Sequence, residues 1–184
     1  NPYGESKMRT EKYLLANKDK FNSIILRYFN VAGADSQLRT GLISNEATHL
    51  IKIISEVAVG KRSKILIYGN DYQTLDGTAL RDYIHVSDLA DIHVEAAKYL
   101  LKKNQTNVFN CGYGKGYSVL DVIRKTSEIS GERIEYVYGS LRDGDPPETI
   151  AEVTLAKKLI NWEAEYSDLE TIISSTWKLY KQIN

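Results

Sequence analysis

Hydrophobic positions along the chain switch repeatedly between two periods. Short β-branched and aromatic runs read as buried strands at Ser23–Phe29, Lys64–Tyr68, Arg81–Val86, Val108–Cys111 and Ile134–Tyr138. Helical spacing separates them. A first helix runs from Pro2 to about Ala16, with Asn1 as its cap and Pro2 in its first turn. A second, from Asn45 to Val59, carries Leu50, Ile51, Ile54, Val57 and Ala58 on one side and stops at Gly60. Ser87 caps a third through about Lys102, with Leu89, Ile92, Ala96 and Leu100 inward. Ser118 caps a fourth that ends at Gly131, and Thr154 opens a short one to Ile160. Ser167 and Glu170 form a capping box for the last, whose Leu169, Ile172, Ile173, Trp177 and Tyr180 make a core stripe. Strands alternating with helices predict an α/β fold.

The polar intervals are unequal. Residues 34–44 are irregular, and 139–150 form a Gly/Pro loop. The stretch Gly69-Asn-Asp-Tyr-Gln-Thr-Leu-Asp-Gly-Thr78 is too long for a mere connector and reads as a functional loop. Lys+Arg and Asp+Glu both number 24, which leaves no net charge and no basic stripe for nucleic acid or an anionic membrane. A single cysteine excludes an internal disulfide framework and suits a reducing compartment. No apolar run approaches the ~20 residues of a bilayer span, so the cytoplasm is the expected location. The chain starts inside a capping turn, without an initiator Met, which reads as a fragment.

Three groups of residues carry candidate chemistry. Tyr3 and Lys7 stand at i and i+4, so phenol and ammonium share one helix face. A cation beside a phenol favours the phenolate and makes it a usable base; equally, such pairs are common on exposed helices. Arg81, Arg142 and Asp145 suit diphosphate oxygens and sugar hydroxyls, or are solvated loop residues. Gly112-x-Gly-x-Gly116 follows a strand and precedes a helix, the setting of a dinucleotide fingerprint. Its spacing differs and no acidic residue ends a following strand, so a tight turn is expected. His49, His85 and His93 lack metal-ligand spacing, and His85 and His93 read as hydrogen-bonded structural residues.

The order Tyr3-x-x-x-Lys7, Arg-Tyr-Phe-Asn (27–30), Tyr-Gly-Asn-Asp-Tyr-x-Thr-x-Asp-Gly-Thr (68–78), Arg-Asp-Tyr-Ile-His-Val-x-Asp-Leu-Ala (81–90) and Arg-Asp-Gly-Asp (142–145) resembles the UDP-glucose 4-epimerases. These are extended short-chain dehydrogenases/reductases, and the resemblance covers this chain but only the second half of the family's usual length. It implies NAD as cofactor and a UDP-sugar as substrate, transiently oxidised at C4. Tyr3 is then the acid/base, Lys7 poises it and bonds the nicotinamide ribose, and Phe29 lies beside the cofactor. Asn30, Arg81, Arg142 and Asp145 hold the UDP portion, with His49, Leu50, Leu66, Ile67 and Tyr68 as lining and Tyr83 close by. Thr149 occupies what looks like the position that gates N-acetyl groups.

The resemblance further implies an incomplete Rossmann-type domain with parallel sheet elements from residues 1–33 and 81–112, and a smaller α/β sugar-binding domain from 34–80 and 113–184. The family's N-terminal Gly-x-x-Gly-x-x-Gly does not occur, so the chain alone is expected to bind NAD weakly and to be inactive. Family members often form homodimers, and a missing N-terminal half is a further expected partner. Alternatives are a UDP-N-acetylhexosamine 4-epimerase, a sugar-nucleotide dehydratase or decarboxylase, and a non-catalytic sugar-nucleotide-binding remnant.

Overall fold

The computed structural model describes residues 2–44, 48–160 and 162–184. In chain order these form α1 (Pro2–Ala16), β1 (Ile24–Tyr28), β2 (Asn30–Ala32), α2 (Leu50–Ala58), β3 (Ile65–Tyr68), β4 (Leu80–His85) and α3 (Val86–Lys103). There follow β5 (Asn107–Cys111), β6 (Gly116–Ser118), α4 (Val119–Ser130), β7 (Tyr136–Gly139), β8 (Glu148–Thr149), α5 (Thr154–Leu159) and α6 (Leu169–Gln182).

β1 and β5 pair in parallel, as do β3 and β7. The hub is β4. Its carboxyl half pairs in parallel with β2, while Leu80–Asp82 pairs antiparallel with β6 and Leu80–Arg81 in parallel with β8. Successive strand side chains point to opposite faces, so Tyr83 and Ile84 enter different cores. Tyr83 packs with Ile54, Ile67, Val122, Ile172 and Ile173, between α2, β3, α4 and α6. Ile84 packs with Leu89, Ile92, Phe109 and Cys111, between α3 and the β1–β5 pair. Ala156, Ile160 and Trp162, from the 113–184 stretch, also pack into this second core.

Several local expectations are met. Pro2 stands in the first turn of α1, while its expected cap, Asn1, lies outside the described residues. Ser118 caps α4 in a reciprocal box with Asp121, and Gly131 closes that helix in the left-handed region. His93 donates from Nδ1 to the Leu89 carbonyl at 2.7 Å and meets the Tyr28 hydroxyl at 2.5 Å through Nε2. His85 accepts from the Ser87 N–H on Nδ1, so Nε2 carries the proton toward Ser175 Oγ at 3.1 Å.

Others are corrected. His85, not Ser87, caps α3, because its ring reaches the Ser87 N–H from the end of β4. Asp168, not Ser167, caps α6 by accepting from the Thr171 N–H, one residue later than the Ser/Glu spacing suggested. The helix placed over Asn45–Val59 begins at Leu50; Asn45 lies outside the described residues. Residues 116–118 and 148–149 join β4 as short strands instead of remaining loop. Trp177 and Leu100 are only half-buried, their inward places taken by Thr176, Leu179 and Tyr99. Among the described residues no helix is long and apolar enough to cross a membrane.

Candidate active site

A cleft of about 640 Å³ opens where the ends of β2 and β4 meet β3, the start of α2 and the 139–150 loop. It is lined by Asn30, His49, Leu50, Leu66, Ile67, Tyr68, Arg81, Tyr83, Arg142 and Asp145, which five separate stretches contribute. Arg81 Nη2 pairs with Asp145 Oδ1 at 2.5 Å and Arg81 Nη1 donates to the Leu80 carbonyl at 2.7 Å. The Arg142 guanidinium stacks over the Tyr68 ring, 3.6 Å from its centroid. Tyr83 is buried, which pushes its phenol well above the ordinary range, and the Asn30 side chain hydrogen-bonds it. α2 starts at Leu50 with an extended His49 before it, so its positive dipole end faces the cleft. Two guanidiniums and a helix N-terminus around one opening suit a diphosphate, and a carboxylate beside them can accept from hydroxyls.

Four of the expected site residues lie elsewhere. Tyr3 is 72% exposed on α1, with Lys7 Nζ 5.2 Å from its ring centroid, so the pair exists but does not line the cleft. Phe29 is half-buried between β1 and β2. Thr149 stands beside Arg81 in the β4–β8 ladder, also outside the cleft lining.

The motif around Arg81 turns out to be wiring. Asp82 is 1% exposed and accepts from the Tyr113, Gly114 and Ala151 N–H groups at 2.8–3.2 Å. Asp88, fully buried, accepts from the Tyr113 hydroxyl and from the Glu165 and Tyr166 N–H groups. Together they clamp the Gly112–Gly116 turn. A Cβ at Gly112 would sit 2.6 Å from Ala151 Cβ and 2.7 Å from Asp82 Oδ2, so this turn is filled by protein and offers no phosphate cradle. The 69–78 loop is closed in the same way. Asp76 accepts from the Thr78 N–H at 2.9 Å and from Ser118 Oγ at 2.5 Å, and these bonds hold its carboxyl below the usual range against the effect of burial.

Sequence spacing missed one charged group. Lys52, Arg62 and Lys64 also line the cleft, and buried Lys52 pairs with Glu56 at 2.6 Å while Arg62 pairs with the same carboxylate at 2.5 Å. Burial alone would raise the Glu56 carboxyl; hydrogen bonds from Lys52 and Arg62 outweigh it and lower it instead. The i,i+4 spacing of Lys52 and Glu56 was visible, but it ordinarily marks a solvent-facing pair.

The model of the NAD dependent epimerase/dehydratase family matches residues 1–112. The chain is 45% identical to a UDP-glucose 4-epimerase of Azospirillum brasilense over 95% of its own length and 51% of that relative. In structure it is similar to a UDP-glucose-4-epimerase from Stenotrophomonas maltophila with bound NAD and formylated UDP-arabinopyranose, with a TM-score of 0.94 at 34% identity over 100% of this chain and 55% of that one. It also matches the UDP-Glc/GlcNAc 4-epimerase from Campylobacter jejuni, with 44% identity and a TM-score of 0.76 over 99% of this chain and 56% of that one. This chain therefore belongs to the NAD dependent epimerase/dehydratase family. It spans about half the length of the relatives it matches.

Proposed function

We propose that the chain supplies the UDP-sugar site and the proton-transfer pair of a UDP-glucose 4-epimerase. The observation that carries this is the convergence of Asn30, Arg81, Arg142 and Asp145, far apart in sequence, on one cleft with a helix N-terminus. Arg81 and Arg142 hold the diphosphate, and Asp145 accepts from a ribose hydroxyl. Tyr3 removes and returns the proton of the sugar C4 hydroxyl, and Lys7 keeps it poised for that exchange. NAD, when bound, supplies the hydride acceptor and donor at C4. Tyr3, Lys7 and Phe29 fit its nicotinamide end, whereas the dinucleotide phosphates find no glycine cradle among the described residues, since Asp82 and Ala151 fill the turn after β5.

On this reading residues 1–33 and 81–112 belong to the NAD-binding domain, and 34–80 with 113–184 form the sugar-binding one. By itself the chain binds UDP and turns over nothing; micromolar binding of NAD by the isolated chain would contradict that. The cytoplasm is the proposed compartment, in keeping with a single buried thiol, Cys111, that burial pushes up to about 12.

The direct test joins this chain to the first half of the Azospirillum brasilense relative. The chimera should interconvert UDP-glucose and UDP-galactose without net NADH, and Tyr3→Phe should abolish this. Accumulation of a stable keto sugar would instead mark a dehydratase. A second reading, tolerance of N-acetylated hexoses, draws support from the likeness to the Campylobacter jejuni UDP-Glc/GlcNAc 4-epimerase and from small Thr149 beside Arg81. A chimera active on UDP-galactose and silent on UDP-N-acetylgalactosamine would remove it.

A further inference from the structure

Lysines and arginines line the cleft at Lys52, Arg62, Lys64, Arg81 and Arg142, and all but one are engaged. Lys52 and Arg62 share the Glu56 carboxylate at 2.6 Å and 2.5 Å, Arg81 pairs with Asp145 at 2.5 Å, and Arg142 stacks on the Tyr68 ring. Lys64 is exposed and has no partner among the described residues. It stands at the head of β3, where alternation puts Lys64, Leu66 and Tyr68 on one face and turns Ile65 and Ile67 into the core. Val137 lies opposite Leu66 in the β3–β7 register and shares that face. Leu66 is 46% and Val137 39% exposed, so they form an apolar shelf between the Tyr68 ring under Arg142 and the Lys64 ammonium. From Tyr68 to Lys64 the strand spans about 13 Å.

With the diphosphate of a UDP-sugar at Arg81 and Arg142, the reading on which this inference rests, sugar and nucleoside leave the cleft centre in different directions. Tyr3 belongs to α1, which the Glu11–Arg27 pair ties to β1, and Asn30 follows that strand into β2. The sugar therefore takes the Asn30 side, and the nucleoside takes the side of β3, which lies in a separate sheet from β1 and β2. There a flat base rests on Leu66 and Val137 with its rim at Lys64. We infer that Lys64 is a specificity-determining residue for the nucleobase, its ammonium donating to the uracil C4 carbonyl oxygen. Cytosine carries an amino group at that position, which offers an ammonium no acceptor. The Glu56 carboxylate behind this wall has one oxygen engaged by Lys52 and the other by Arg62, so it is no ready acceptor for that amine.

Calorimetric titration of wild type, Lys64→Met and Lys64→Glu with UDP and with CDP tests it. The two nucleotides carry the same charge, so the ratio of their affinities cancels any general loss of attraction for phosphate. Wild type should prefer UDP about ten-fold. Lys64→Met should cut that preference to about two-fold, and Lys64→Glu, whose carboxylate accepts from the cytosine amine, should reverse it. Equal affinities in wild type, a ratio unmoved by Lys64→Met, or a preference for UDP kept in Lys64→Glu overturns Lys64 as the selecting group and leaves the cleft assignment standing. A wild-type chain that binds neither nucleotide overturns the cleft assignment and this inference with it. Thermal melting checks that each variant is folded, and if one is not, the other decides.

Discussion

The 81–90 segment and the first helix carry the two most chemically suggestive motifs, and the fold treats them in opposite ways. In 81–90, Asp82, His85 and Asp88 are buried and each is bonded to two other segments, through Tyr113, Gly114, Ala151, Ser175, Glu165 and Tyr166. α1 has no buried residue, and an exposed pair between Glu11 and Arg27 ties it to β1. A motif can therefore be dense because it holds distant segments together, as around Arg81, or sparse because it stands at a surface, as at Tyr3 and Lys7. The difference teaches that motif density reports wiring as much as chemistry.

The largest effect should come from the wired side. Asp82→Ala strands three N–H groups and should lower stability by at least about 3 kcal/mol in urea unfolding. Lys7→Ala should stay within about 0.5 kcal/mol. Comparable losses for the two would break the contrast.

Acid should find the same side next. Burial lowers the His85 pKa below its ordinary 6.5 although Asp88 opposes this, so the folded chain refuses a proton that the unfolded chain binds. Stability is then full above 6.5 and declines as pH falls below it. Glu56, lowered from 4.5, contributes above that value and is lost as pH falls through its folded pKa. Melting curves from pH 7.5 to pH 4 would show the decline start near 6.5; a flat profile down to pH 5 would show that burial does not hold His85 neutral.

Smaller still is the expected change in a cleft residue that is not wired into the core. Arg142→Ala should weaken UDP binding about ten-fold and leave the melting temperature of the free chain in place. A large drop in melting temperature would make Arg142 structural. Smallest of all, Glu11→Gln should cost no more than about 1 kcal/mol after solvent screening. Its readout is faster amide exchange confined to α1, and exchange that quickens throughout the chain would show that α1 supports more than itself.

Local order was legible in the sequence wherever a residue acts on its own neighbours. Pro2 begins α1, Ser118 and Gly131 bracket α4, and Ile24–Leu26 form a strand, because capping, left-handed backbone and β-branching act within a few residues. Caps supplied from across a boundary were not: His85 reaches forward from a strand to the Ser87 N–H, and Asp168 displaces the better-spaced Ser167. The site residues were legible as residue types, and their convergence on a cleft was not, since nothing local joins Asn30, Arg81 and Asp145.

What the sequence by itself determined is the alternation of strands and helices, the Tyr3–Lys7 pairing on one turn of helix, and the chemical repertoire of the 68–90 and 142–145 stretches. Tertiary structure alone decided that Asp82 and Asp88 clamp the glycine turn, that Glu56 joins Lys52 to Arg62, and that Arg81 meets Asp145. The reason is physical. Capping and periodicity are settled over a few residues of chain, whereas a buried charge is tolerable only once distant backbone N–H groups or counter-charges have been folded onto it.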